Sequence, residues 1–343
     1  MTSHWCDFQN SDVIMNIGSN SAENHPVSSR WLHKAHDNGA KWIVVDPRYT
    51  RTAEQADIYC PIRSGTDIAF FGGLYNYVVN NLIEPGLQEY LATGKQDNYN
   101  FEYLLNYTNA SYLLDPSFTF DPETGLFSGW DPEKKKYTNT TWHYQVESTS
   151  TWDTSANGTY SWAVAPPTVE HPKKDMTLQD PMCVYQQFKK HYSRYDMDTV
   201  CSICGMDKET LELVYSTYAS SAAPGKAGSI LYALGQTQHT YGAQNTRAMS
   251  VCQLLLGNIG IPGGGLNALR GEPNVQGATD MGMLVNELPG YLKWPNDSAR
   301  SSLRKWLEGE TYSDGYYTNK PKFLVSFLKE WFGDAATVEN DYG

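Results

Sequence analysis

Apolar residues along this chain gather in short continuous runs, separated by longer stretches with helical spacing. Residues 11–18 (SDVIMNIG) form a run that ends at a glycine, as expected of a strand buried on both faces. Pro26 then suits a first helical position after the polar Asn24 and His25, and the pattern predicts a helix to about Asp37 that stops at Asn38-Gly39. Lys41–Val45 reads as a second buried strand ended by Asp46-Pro47, and Ile58–Ile62 as a third. Thr66–Asn81 reads as a helix with Asp67 in its first turn. Alternating β-α-β-α-β-α predicts an α/β fold with a doubly wound, mostly parallel sheet.

Residues 95–175 break this rhythm. They are rich in Tyr, Trp, Thr and Asn and are punctuated by DPETG and DPEKKK turns, which predicts β-hairpins in a surface excursion rather than core sheet. Five Asn-X-Ser/Thr sequons occur, four of them between Asn106 and Asn157, as chance supplies in so Asn- and Thr-rich a segment. Helices resume at Met182–Arg194 and Lys208–Ser221, a buried strand at Ala227–Leu234, and a helix from about Ala243 to Leu256. This gives a first domain over 1–270, with the excursion inside it, and the beginning of a second α/β domain over 271–343. No internal repeat is visible.

A length of 343 residues allows about two domains and a sizeable core. The balance of 26 basic against 38 acidic residues gives −12, and no run of Lys or Arg exceeds Lys134–Lys136, which excludes a nucleic-acid partner that needs a basic face. No apolar stretch approaches the ~20 residues of a membrane span, and no secretory signal pattern opens the chain. Of six cysteines only Cys201 and Cys204 have metal-like spacing, and one CxxC without a second ligand pair reads as ordinary thiols. No metal ligand is assigned in this chain.

The chemistry-bearing residues fall at strand ends. Gly18–Pro26 lies where a strand feeds a helix, which directs backbone N–H groups at an anion. Its small residues allow close approach, although a simple βα turn would look the same. The segment lacks the G-x-G-x-x-G fingerprint, so a nicotinamide site is disfavoured. Asp46 ends the second strand, where a carboxylate in a dinucleotide fold accepts from a ribose or a base. Asp67 suits either such a contact or plain N-terminal helix electrostatics. Gly235, Gln236, Gln238 and His239 follow a strand's carboxyl end, and the Gln amides offer both donors and acceptors. Five glycines between Gly257 and Gly265 let backbone approach a ligand closely. Arg270 follows them with a planar fork suited to a carboxylate or phosphate.

Taken together, Met1–Trp5 (MTSHW), Gly18–Pro26 (GSNSAENHP), Val44–Asp57, Pro61–Phe70 (PIRSGTDIAF), Tyr232–Met249 (YALGQTQHTYGAQNTRAM) and residues 254–282 resemble, in order, the catalytic alpha subunit of molybdenum- or tungsten-dependent formate dehydrogenases. These belong to the dimethyl sulfoxide reductase superfamily. The resemblance implies a Rossmann-like domain that binds bis(molybdopterin guanine dinucleotide) with Mo or W. It places Gly18, Asn20, His25, Asp46, Arg48, Ser64, Gly65, Asp67, Gly235, Gln236, Gln238, Asn274, Val275, Gln276 and Gly277 against that cofactor. Arg270 matches the family arginine that holds the formate carboxylate. The implied reaction is oxidation of formate to carbon dioxide, with two electrons passed to an iron–sulfur electron-transfer subunit and a cytochrome b membrane subunit. The resemblance also implies a periplasmic location.

By the same resemblance, the cysteine or selenocysteine that ligates the metal precedes the segment matching MTSHW, and an iron–sulfur cluster segment lies further upstream. A long C-terminal portion follows. The expectation is therefore an internal fragment, inactive alone, whose residues 271–343 leave apolar surface exposed around Phe323–Phe332. Two alternatives stay open: a nitrate, thiosulfate or arsenite oxidoreductase with the same cofactor, and a non-catalytic nucleotide-binding module on the same scaffold.

Overall fold

In the computed structural model the chain divides into two compact units, Met1–Arg270 and Gly271–Gly343. The structure describes residues 2–117, 130–131, 133–137, 143–151, 168–269, 274–283, 288, 292, 301–302, 304–306 and 320–340.

The first unit opens with strand β1, Val13–Ile17, every residue of which is buried. Helix α1, Pro26–Asp37, has its proline at the start and buries Ser28, Ser29, Leu32 and Ala35, the spacing of one helical face. Strands β2, Lys41–Val45, and β3, Ile58–Cys60, follow in parallel register. Helix α2, Asp67–Val78, is apolar nearly all round because it is packed on all sides. A side chain at Gly72 would meet the Tyr195 ring at 2.7 Å, and one at Gly73 the Tyr215 hydroxyl at 2.6 Å.

The helix was expected to end near Asn81. Instead a π-turn, Val79–Ile83, carries the chain directly into α3, Glu84–Thr93. Pro85 has no N–H to give, and its place in the first turn of α3 removes the conflict that would otherwise end the helix. The excursion also departs from expectation, since its described part begins with a helix, α4, Phe101–Tyr107, capped by the Asn100 side chain. Hairpin-like antiparallel pairing then appears between β4, Val146–Thr151, and β5, Thr168–Pro172.

Helices α5, Val184–Tyr192, α6, Met197–Cys204, and α7, Lys208–Ala219, come next. Asp196 and Asp207 cap α6 and α7 by accepting from Thr199 and Thr210 N–H at 2.8 and 2.7 Å. Strand β6, Gly228–Tyr232, helix α8, Gly242–Leu255, and strand β7, Gly265–Ala268, complete the unit. The CxxC pair lies on α6, where Cys204 is buried and its thiol pKa is pushed up by that burial.

Among the described residues β3-β2-β1-β6-β7 form one parallel five-stranded sheet. One face carries Met15, Ile17, Ile43 and Val45 against α2, α7 and α8. The other carries Ile14, Trp42 and Val44 against α1. The sheet is thus covered on both sides, as the uninterrupted apolar runs require.

In the second unit, α9, Val275–Asp280, and α10, Lys320–Phe332, are helical. Leu324 and Leu328 are buried in a cluster with Leu288, Leu292 and Trp306. The expected exposure around Phe323–Phe332 is therefore corrected at those two leucines, and holds at Trp331 and Phe332, 56% and 45% exposed.

Candidate functional site

A parallel sheet gathers the carboxyl ends of its strands along one edge, and a cleft opens where neighbouring strands lead away in opposite directions. Here β1 has β2 on one side and β6 on the other, so the switch point falls between the loops leaving β1 and β6. At that point the two backbones touch. Gly235 N–H donates to the Gly18 carbonyl at 3.1 Å. A Cβ on Gly235 would sit 2.6 Å from Gly18 O, and one on Gly18, at φ +58°, 2.8 Å from the Gly235 carbonyl carbon. Only glycine at both positions allows this approach.

The loop after β1 is tied down from within. Buried Asn16 accepts from Trp42 Nε1 at 2.8 Å and donates to the Ser19 and Ser21 hydroxyls at 3.1 Å each. Asn20 Oδ1 accepts from the Thr52 hydroxyl at 2.9 Å and from Thr52 N–H at 3.3 Å, while Asn20 Nδ2 donates to Glu23. His25 stands at the start of α1 with its ring stacked on Trp5, centroids 5.1 Å apart.

The loop after β2 brings Asp46, half-buried, whose Oδ1 accepts from Arg48 N–H at 2.9 Å. Burial lifts the Asp46 carboxyl pKa above its ordinary value. The Arg48 N–H and guanidinium oppose this, and the Asp67 charge adds to it. The loop after β3 brings Ser64, exposed, and Gly65, at φ +83°, whose carbonyl accepts from the Tyr241 hydroxyl at 2.7 Å. Asp67 opens α2 and is only 4% exposed.

Asp67 and the β6 loop meet directly: Gln236 Nε2 donates to Asp67 Oδ1 at 2.6 Å. Gln236 is 2% exposed, and among the described residues its Oε1 has no partner. Asn245, on the first turn of α8, donates to the Gln236 carbonyl at 3.1 Å, and its own Oδ1 is likewise buried without a partner among the described residues. Gln238 is exposed, and His239 turns its Nε2 to the Gly235 carbonyl at 2.9 Å. Residues expected from four separate segments thus converge on one edge of the sheet.

Three parts of the expectation fall elsewhere. Arg270 lies outside the described residues. Asn274, Val275, Gln276 and Gly277 belong to the second unit, where Asn274 takes a left-handed conformation at the head of α9. The glycines at 257–265 lie away from these residues. They lead into β7, whose first residue is Gly265, at the end of the sheet opposite the switch point, and the close approaches that Gly263, Gly264 and Gly265 permit are to the chain itself. A Cβ on Gly263 would lie 2.2 Å from Asn10 O, one on Gly264 2.2 Å from Asn258 O, and one on Gly265 2.3 Å from Thr2 Oγ1.

Thr52, Tyr241 and Asn245 were not singled out from sequence. Each is a polar residue within the Val44–Asp57 or Tyr232–Met249 segment, and that membership is the only signal the sequence offers. A separate cavity of about 450 Å³, lined by Leu104, Tyr107, Tyr185, Phe188, Val251 and Leu254 among others, is apolar and holds none of the cleft residues. It does not suit an anionic ligand.

At the switch point the chemistry is one of unmet acceptors. A buried carboxylate, a second carboxylate nearby and two buried amide oxygens without donors call for a ligand edge rich in N–H groups.

The molybdopterin oxidoreductase family model matches residues 1–321. Formate dehydrogenase subunit alpha of Megalodesulfovibrio gigas is 44% identical over 344 residues, 98% of this chain and 30% of that protein. The nitrate-inducible formate dehydrogenase major subunit of Escherichia coli (strain K12) is 45% identical over 350 residues, 100% of this chain and 31% of its own length. The chain spans about 30% of the length of these relatives. Acetylene hydratase from Pelobacter acetylenicus superposes with a TM-score of 0.42 at 21% identity, covering 73% of this chain and 22% of its own.

Proposed function

The chain belongs to the molybdopterin oxidoreductase family, and from that premise we propose that it is the part of a formate dehydrogenase catalytic subunit that holds the guanine dinucleotide form of the cofactor. The two relatives above bear that enzyme's name and match the chain almost end to end. The observation that carries the reading is the buried acceptor set at the switch point, Asp67 with Gln236 Oε1 and with Asp46 nearby.

Guanine presents two adjacent donors, N1–H and the N2 amino group, and a carboxylate accepts from both. Adenine presents one donor beside an acceptor, and would leave a buried oxygen unmet at a cost of about 1–3 kcal/mol. Asp67 and Asp46 are the acceptors in this reading. Gln236 holds Asp67 in place and offers its free oxygen. The glycine contact at Gly18 and Gly235 brings two backbones to the cleft with no side chain in the way. Asn245 fixes the Gln236 backbone.

When bound, the cofactor supplies a molybdenum or tungsten centre able to take two electrons from formate. Arg270 would orient the formate carboxylate by a two-pronged ion pair. The electrons pass on to a partner subunit that carries iron–sulfur clusters.

The test is chemical. The cofactor-loaded protein, denatured in acid, should release guanine nucleotide and an oxidised pterin. Asp67→Asn, which turns an acceptor into a donor beside guanine N1–H, should reduce nucleotide content at least tenfold, equivalent to about 1.4 kcal/mol. Release of cytosine or adenine nucleotide instead, or full guanine content in the variant, would refute the assignment.

A further inference from the structure

We propose that Thr52 is a positioning residue for cofactor binding, clamping the loop after β1 to the loop after β2. The inference rests on the cofactor reading above.

Thr52 is completely buried, 0% exposed, although it belongs to the connection between β2 and β3. Its hydroxyl works in both directions. It donates to Asn20 Oδ1 at 2.9 Å and accepts from Ala22 N–H at 3.1 Å. Its own N–H reaches the same Asn20 oxygen at 3.3 Å. Three bonds therefore join two loops that are separate in sequence, all at one fully buried residue, two through its hydroxyl and one through its N–H. The remaining Asn20 group, Nδ2, is turned to Glu23.

Asn20 is consequently engaged inside the protein at both ends of its amide. Its side chain shapes the loop instead of meeting the ligand, and Thr52 is what it shapes the loop against. The loop on one side of this clamp carries Gly18, which touches Gly235 across the switch point. The loop on the other side carries Asp46 and Arg48. The other ties among the described residues lie in the strand ladder, at its two ends, where Gly18 N–H donates to the Val45 carbonyl at 3.2 Å and Lys41 N–H to the Asp12 carbonyl at 2.9 Å, or, at Asn16, in the core. Without the hydroxyl two of the three bonds are lost just where a dinucleotide would lie across both loops, and binding has to order them at its own cost.

Thr52→Val keeps the shape and removes the hydroxyl, whereas Thr52→Ser keeps the hydroxyl. Ser229→Ala is the control for a general loss of stability. It deletes another fully buried hydroxyl, one that donates to the Gly263 carbonyl at 2.9 Å at the far end of the sheet. The cofactor-loaded protein and its variants would be diluted into cofactor-free buffer and desalted at intervals, and the guanine nucleotide still bound would be counted after acid release. We expect Thr52→Val to lose nucleotide about tenfold faster than the native chain. Thr52→Ser should stay within about twofold, and Ser229→Ala should match the native chain. Asn20→Ala, which cuts the same clamp from its other side, should behave as Thr52→Val does, and carries the test if that variant does not fold. Loss from Thr52→Val or Asn20→Ala no faster than from Ser229→Ala overturns the clamp. Absence of guanine nucleotide from the native chain overturns the cofactor reading itself.

Discussion

His191, on α5, shows how packing fixes the charge of one side chain. Burial, with the neighbouring Arg194 charge second, pushes its pKa down to about 4. The Arg194 guanidinium donates toward its Nε2, which only a neutral ring can accept. In the unfolded chain the ring titrates near ~6.5, so between these values the unfolded state binds more protons than the folded one. The contribution is complete above ~6.5 and is lost as pH falls toward about 4. We expect the melting temperature to drop between pH 7 and pH 5, and His191→Gln to flatten that drop. Identical pH profiles for the two proteins would contradict the account. The same scale explains why Thr52, Tyr241 and Asn245 escape a reading of the sequence. Tyr241 finds its partner 176 residues away and Thr52 finds its own 32 residues away, and no local pattern encodes such a meeting. Asp46 is legible because a carboxylate at a strand's carboxyl end is a local fact, and Asp67 because a carboxylate in a helix's first turn is another.

Among the elements, β1, β2, β6 and α1 stand at nearly their expected bounds, because a strand buried on both faces and a helix flanked by Pro and Asn-Gly leave plain local marks. Strand β7 does not, since Gly265-Leu-Asn-Ala is four residues long, begins with glycine and carries a buried amide. Helix α6 is hidden by its brevity, and the α2–α3 run by a proline that ordinarily signals a stop. The two glycine contacts at opposite ends of the sheet give a paired prediction. Gly263→Ala, at φ +78° with its Cβ 2.2 Å from Asn10 O, should cost about 2 kcal/mol or more of unfolding free energy in urea and leave nucleotide retention unchanged. Gly235→Ala, which meets Gly18 O at 2.6 Å, should instead abolish most nucleotide retention with a smaller loss of stability, because its loop is exposed and can shift. Equal effects from the two substitutions would mean that the ends of the sheet do not divide structure from binding.

At the scale of the molecule, contacts distant in sequence close the first unit. Thr2 N–H donates to the Leu266 carbonyl at 3.1 Å, and Leu266 N–H returns a bond to Thr2 Oγ1 at 2.9 Å, across 264 residues. The opening residues thereby cover the outer edge of β7, which would otherwise present unpaired backbone. Thr2→Val should lower the urea midpoint by an amount equivalent to about 1 kcal/mol without changing the slope, and an unchanged midpoint would show that the edge is held by other means. The strand order has a consequence in time. Asp12, at the foot of β1, accepts from Ala227 N–H 215 residues further on. At a synthesis rate of about 5–20 residues per second, β1 leaves the ribosome on the order of 10–40 seconds before β6 can pair with it. For that interval the nascent sheet has one open side where the switch point will later form. On the proposed cofactor reading, a chaperone that shields that edge would act at the place the cofactor later takes, and insertion would follow closure of the sheet.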